Sequence, residues 1–211
     1  MNPMSDPCVF VVDDDEDIRS SLSRALRTRG YTVQVYSSAQ AFLDSGMFEQ
    51  PGCLILDFGM PEISGLDLQQ HLVNRGRSIP IIFITGHGGV PEAVQAMKYG
   101  AVDFLEKPFR QEVLITRIEA ALKLDVQARR VDDKSRITKR KFESLTEREK
   151  EIAEFLVSRP SNSSSKDVAR HLGISPRTVD HHRARILEKM NIHSVAELVD
   201  LSIAANLFSK S

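Results

Sequence analysis

Apolar positions along the chain follow two rhythms in turn. Residues 9–12, 53–56 and 79–84 are dense apolar runs, the pattern of strands buried on both faces, while 31–35 alternates and 101–105 is a shorter run. Between them apolar residues recur at helical spacing: Ile18, Leu22, Ala25 and Leu26; Leu66, Leu68 and Leu72; Val113, Ile115, Ile118, Ala121 and Leu122. Shorter helices are expected at 38–43 and 91–97, and Gly30 and Gly100 suit the ends of the first helix and of 91–97. Five strands alternating with helices through short connections require a parallel sheet covered on both faces. The fold class expected for residues 8–123 is α/β, a five-stranded parallel doubly wound sheet, for which 2-1-3-4-5 is the common strand order.

Beyond residue 123 the strand rhythm stops. Residues 124–131 are helix formers uninterrupted by Gly or Pro, so the preceding helix is expected to extend to about Val131 and give way to a basic linker through Lys141. Residues 142–211 read as all-helical. Thr146-Glu-Arg-Glu149 and Ser194-Val-Ala-Glu197 are capping boxes, the second opening a final helix through Leu207. A short helix at 166–172 ends at Gly173, and Ser175 with Pro176 restarts a longer one to Met190. Short helix, turn with Gly, longer helix is a helix-turn-helix pattern. Three segments result: 1–123, a connector at 124–141, and 142–211.

Composition supports a globular chain, with 41% hydrophobic and 27% charged residues. No run approaches the roughly 20 apolar residues of a membrane span, and the first seven residues lack the regions of a signal peptide. Cys8 and Cys53, without metal spacing, read as buried thiols of a reducing compartment, which makes the cytoplasm the expected location. The formal net charge of −1 hides an uneven distribution: −5 over 1–123, +4 over 124–141, and zero over 142–211. An acidic part and a basic connector indicate modules with different partners.

The polar residues at the strand ends carry the chemistry. Asp57 ends an apolar run, and a carboxylate there needs a cation or a chemical role. In a 2-1-3 order Asp13 and Asp14, after the first strand, become its neighbours. Three converging carboxylates cannot all stay ionised without a counter-ion, and a hard divalent cation with oxygen ligands, most simply Mg²⁺, answers that need, with the Gly59 carbonyl as a further ligand. Lys107 and the Thr85 hydroxyl, ending the fifth and fourth runs, are suited to the equatorial oxygens of a transferring phosphoryl group. Asp13 to Asp17 also fits a helix N-terminus favoured by the dipole, a role that suits Glu16 and Asp17. His87 reads as a solvated loop residue, and the isomer of Lys107-Pro108 stays open.

Residues 8–123 resemble the receiver domain of two-component response regulators. The resemblance rests on Asp13-Asp14, Asp57 in Leu-Asp-Phe-Gly-Met-Pro, Thr85 in Ile-Thr-Gly-His-Gly and Lys107 in Glu-Lys-Pro-Phe, and it is nearest the FixJ branch. It implies phosphorylation of Asp57 by a sensor histidine kinase with Mg²⁺, Thr85 turning toward the phosphoryl group, and Phe104 then moving inward. Readout as dimerisation is expected on the face around Val94, Met97, Lys98 and Asp103.

On the helix 176–190, Val179, Ile186 and Met190 share an inward face, leaving Arg177, Asp180, His181, Arg183, Ala184 and Arg185 mostly outward. Arg contacts phosphates or pairs with guanine, and Ala permits close approach to a groove; a salt-bridged surface helix is the alternative. Leu145-Thr-Glu-Arg-Glu and Ile174-Ser-Pro-Arg-Thr-Val-Asp-His-His-Arg resemble the LuxR/NarL-type DNA-binding domain. That resemblance implies Arg177 and Thr178 near the DNA backbone, with Lys166 and Ser175 among the contacts, and Asp180, His181 and Ala184 toward base edges. It makes His182 structural and the last helix a dimer face through Val195, Leu198 and Val199. The turn at 161–165 is longer than is usual in that family, and Ser165 stands where Asn is usual before the Lys.

The combined expectation is a response regulator that is phosphorylated on Asp57, dimerises, and binds promoter DNA to regulate transcription, with RNA polymerase a further partner and no membrane. It is not an enzyme beyond its own phosphoryl transfer and slow dephosphorylation. Two other classes remain open: a phosphorylation-independent DNA-binding regulator with the receiver as dimer module, and a phosphoryl-transfer or phosphatase enzyme with a C-terminal interaction module.

Overall fold

The structure is a computed structural model of the chain and describes residues 6–76, 79–86, 90–160 and 164–208. It divides into two compact units, Met1–Ala128 and Arg129–Ser211. Among the described residues the first unit holds a five-stranded parallel sheet in the order β2-β1-β3-β4-β5. Its elements are β1 (Cys8–Val12), α1 (Glu16–Arg27), β2 (Thr32–Tyr36), α2 (Ala39–Ser45), β3 (Gly52–Asp57), α3 (Gly65–Asn74), β4 (Ile81–Thr85), α4 (Val90–Lys98), β5 (Asp103–Glu106) and the first part of α5 (Gln111–Glu143). A 3-10 turn, Met47–Glu49, was not legible in the sequence.

The strand period of two sorts side chains into two cores. Phe10, Val12, Leu54, Leu56, Ile81 and Phe83 face one side, where α2, α3 and α4 supply Phe42, Leu68, Leu72 and Ala96. Val9, Val11, Cys53, Ile55, Ile82 and Ile84 face the other, against Leu22 and Leu26 of α1 and Leu114, Ile118 and Ala121 of α5. The three central strands are buried at every position, as their unbroken apolar runs require, whereas edge strand β2 is only partly covered. Cys8 and Cys53 are free and buried, and burial pushes the Cys53 thiol far up. Asp125 of α5 is buried and accepts from the Gly52 N–H at 3.0 Å, tying the helix to the start of β3.

The connector differs from expectation. α5 runs without a break to Glu143, so the basic residues from Lys134 to Lys141 lie on a helix rather than in a linker. No Gly or Pro interrupts residues 111–143, and the last turns have partners in the second unit: Thr138 is buried, Lys141 Nζ donates to the Met190 carbonyl at 3.0 Å, and Phe142 packs edge-on against Phe208. Tertiary contacts there hold a stretch whose composition alone suggested a linker.

The second unit continues with α6 (Glu147–Ser158), α7 (Ser165–Leu172), α8 (Pro176–Met190) and α9 (Val195–Ala204). Thr146 forms the expected capping box with Glu149, Gly173 closes α7 in the left-handed conformation, and Ser175 caps α8 with Pro176 in its first turn. Leu145, Ile152, Phe155, Leu156, Val168, Val179, Ile186, Met190 and Leu198 form its core. Among the described residues no helix is long and apolar enough to cross a membrane.

Candidate functional site

Strand register assembles the first site. Val12 pairs with Leu56, so Asp13 and Asp57 are the next residues on adjacent strands. Both stand at the carboxyl ends of the strands, beside the point where the strand order reverses, which is where such sheets bind ligands. Asp13 is 1% and Asp57 7% exposed. Lys107, beyond β5, bridges them: its Nζ donates to Asp13 Oδ2 at 2.9 Å and to Asp57 Oδ1 at 2.8 Å. The Lys107 N–H donates to the Thr85 carbonyl at 2.7 Å, and the Lys107–Pro108 bond, left open by the sequence, is cis. Asp57 Oδ2 accepts from the Gly59 N–H at 2.8 Å. Asp13 Oδ1 accepts from the Asp15 N–H at 2.9 Å, and Arg19 Nη1 donates to the Asp13 carbonyl at 2.8 Å.

Burial pushes the Asp13 carboxyl up, and the hydrogen bond and charge of Lys107 offset this only in part. For Lys107 burial acts to lower the pKa, but the hydrogen bonds to Asp13 and Asp57 outweigh it and hold the ammonium above its usual range. The two ends differ because the Asp13 side chain is 1% exposed and the Lys107 side chain 21%. Asp15 caps α1 and Glu16 and Asp17 lie in its first turn, so the helix-terminus reading holds for those residues while Asp13 belongs to the site. Asp14 is exposed and makes no hydrogen bond among the described residues.

Among the described residues, no three His, Cys, Asp or Glu side chains are already gathered tightly enough to hold a metal ion. The donors at the strand ends still fit Mg²⁺. All are hard oxygens, two are carboxylates buried around one ammonium, and Mg²⁺ takes one or two carboxylates while retaining waters.

Thr85 is 3% exposed at the end of β4. Phe104 is half-buried, its ring 6.0 Å from Phe58 and 6.3 Å from Phe83. Phe58, immediately after Asp57, was not singled out in the sequence; its adjacency to the carboxylate was the available signal. Val94 and Met97 on α4 are 46% and 48% exposed, and Lys98 is exposed. Asp103 instead pairs with Arg117 of α5 in the same chain. His87 and Ser161–Ser163 lie outside the described residues.

On α8, Arg177, Asp180, His181, Ala184 and Arg185 are exposed, as expected. Arg185 pairs with Glu188 at 3.1 Å. Arg183 is half-buried rather than outward: its Nη1 donates to Ser165 Oγ at 3.3 Å, and that hydroxyl is hydrogen-bonded to Asp180. Ser175 Oγ accepts from the Thr178 N–H at 3.1 Å, while Lys166 is exposed. His182 is half-buried. Leu198 corrects an expectation. It is 0% exposed and packs in the core of its own unit, so its side chain is not offered to a second copy; Val195 is partly buried against that core and Val199 half-buried. Helical spacing marks an apolar face without saying whether the fold or a partner covers it.

Comparison with known proteins decides the family. Residues 9–119 match the family described as response regulator receiver domain. Residues 143–202 match the one described as bacterial regulatory proteins, luxR family. The chain belongs to the response regulators. This response regulator is 44% identical over 191 residues to the response regulator protein TodT of Pseudomonas putida, covering 90% of its own length and 83% of the relative. It is 44% identical over 200 residues to the transcriptional regulatory protein FixJ of Azorhizobium caulinodans, covering 94% and 93%. The solved structure of the response regulator StyR superposes with a TM-score of 0.81 at 40% identity, covering 94% and 99%. The response regulator thus joins a receiver domain to a LuxR-type DNA-binding domain and is a transcription regulator of the two-component class.

Proposed function

We propose that phosphorylation of Asp57 switches this response regulator and that α8 carries the result to promoter DNA. The observation that carries the proposal is the strand-end cluster in which Lys107 spans Asp13 and Asp57. A sensor histidine kinase is the donor. An Asp57 carboxylate oxygen attacks the phosphorus of a phosphohistidine, a P–O bond forms as the P–N bond breaks, and the imidazole takes its proton from solvent. Lys107 and the Gly59 N–H, already on the two carboxylate oxygens, hold negative charge during transfer. Asp13, Asp14, Asp57 and the Gly59 carbonyl would hold Mg²⁺, which when bound would supply further charge neutralisation at the phosphoryl oxygens.

The aspartyl phosphate then biases a two-state receiver. Thr85 turns toward the phosphoryl group and Phe104 moves inward from its half-buried place against Phe58 and Phe83. The exposed Val94, Met97 and Lys98 of α4 support that face as the site of dimerisation. Pairing two receivers raises the effective concentration of the second DNA contact. The assignment comprises receiver 1–123, connector 124–141 and DNA-binding domain 142–211, a cytoplasmic setting, RNA polymerase as a further partner, and no turnover beyond the chain's own Asp57.

Loading with acetyl phosphate tests the chemistry. Phosphate-affinity electrophoresis is expected to show a Mg²⁺-dependent shifted band for wild type and none for Asp57→Asn or with chelator. Equal loading of Asp57→Asn would remove Asp57 from the mechanism.

A further inference from the structure

Ser165, the first residue of α7, is hydrogen-bonded to Asp180 and to Arg183, both on α8. It is not the cap of α7; Ser164 is, accepting from the Asp167 N–H at 3.2 Å. The donors in this chain can be ordered only one way. Arg is donor-only and an ionised carboxylate acceptor-only. The single Ser165 proton therefore points at Asp180 Oδ1, while the Ser165 oxygen accepts from Arg183 Nη1. The carboxylate is held at one oxygen, with a cation behind the hydroxyl that holds it, and Oδ2 makes no hydrogen bond among the described residues.

A carboxylate on a helix face that meets DNA is repelled by phosphates, so it needs a partner in the protein or a donor on a base. Asp180 is exposed, and Ala184, one turn on, leaves room for close approach. In the major groove an acceptor-only group matches exocyclic amino groups. Adenine sets its N7 acceptor beside its amino group, whereas cytosine presents only the N4 donor.

We propose that Ser165 is a positioning residue for base recognition: its hydroxyl, backed by Arg183, fixes the Asp180 carboxylate as acceptor for a cytosine N4 amino group. This rests on the DNA-reading role given to α8.

The test uses the full chain with beryllofluoride and Mg²⁺ and a pool of DNA duplexes with a randomised core. Wild type selects a C·G pair at one fixed position of each half-site, and changing it to T·A weakens binding about tenfold, within the range for one base contact. Asp180→Ala loses preference at that position. Ser165→Ala loses most of the same preference, to about twofold, with the salt dependence of binding unchanged. Ser165→Thr, which keeps the hydroxyl, retains it. The double variant matches Asp180→Ala, since both act through one contact. Full discrimination by Ser165→Ala overturns the proposal while leaving α8 as the reading helix, as does a base other than cytosine at the Asp180-dependent position. Absence of salt-sensitive binding by wild type overturns the DNA-reading role and this proposal with it.

Discussion

At the scale of single residues, Lys107 makes two buried carboxylates tolerable, and the balance is incomplete at Asp13. Burial holds the Asp13 carboxyl above its ordinary range in the folded chain. A group raised on folding contributes stability below its unfolded pKa and loses it as pH rises through its folded pKa. Near pH 7 ionised Asp13 is therefore a cost to stability. Asp13→Asn is expected to melt at a higher temperature than wild type at pH 7 in metal-free buffer, the gain shrinking toward pH 4; a lower melting temperature at pH 7 would contradict this. Gly65 is constrained by space. A Cβ there would lie within contact distance of the Asp57 carbonyl oxygen and 3.0 Å from Phe83 Cε1. Gly65→Ala is expected to cost about 2 kcal/mol in urea unfolding, a typical overpacking penalty. Asp57, Asp13, Thr85 and Lys107 were legible because each polar residue ended an apolar run. The bridge from Lys107 to Asp13 was not, since it depends on which of Asp13 and Asp14 turns inward. The Ser165 contact joins residues 15 and 18 positions apart, beyond the reach of any local pattern.

At the scale of elements, strand runs and helix caps were strong signals and the end of α5 a weak one. Thr146, Ser175 and Ser194 cap the helices they were expected to open, because a side-chain oxygen before an apolar helix face satisfies otherwise orphaned N–H groups. The continuation of α5 to Glu143 depends on Lys141 and Phe142 finding partners far along the chain, at Met190 and Phe208. Leu198 shows the same limit. α6 carries a further dependence: Glu149, 4% exposed, accepts from the Thr146 N–H at 2.8 Å and from Lys189 Nζ at 2.6 Å. Burial acts to raise its pKa, but the Lys189 and Thr146 hydrogen bonds outweigh it and hold the carboxyl low. Its contribution is present above the unfolded value and lost as pH falls through the folded one. Glu149→Ala is expected to cost about 2 kcal/mol at pH 7, measured by urea unfolding followed at the C-terminal helices. The difference from wild type should narrow below pH 4; a pH-independent difference would assign the loss to packing instead.

At the scale of the molecule, two units with separate cores carry the two chemistries, a charged pocket at strand ends and an exposed helix face. The acidic and neutral segments foreshadowed that division, and net charge alone would have missed the LuxR-type domain. On the proposed function, the first unit's phosphoryl state governs the second unit's hold on DNA. The direct measurement is the affinity of the full chain for a selected duplex by fluorescence anisotropy, with and without beryllofluoride and Mg²⁺, beside Asp57→Ala. Activated wild type is expected to bind about tenfold more tightly, equivalent to ~1.4 kcal/mol, and Asp57→Ala to show no response. Equal affinity in both states, for both proteins, would contradict this and leave a regulator that binds DNA without regard to Asp57.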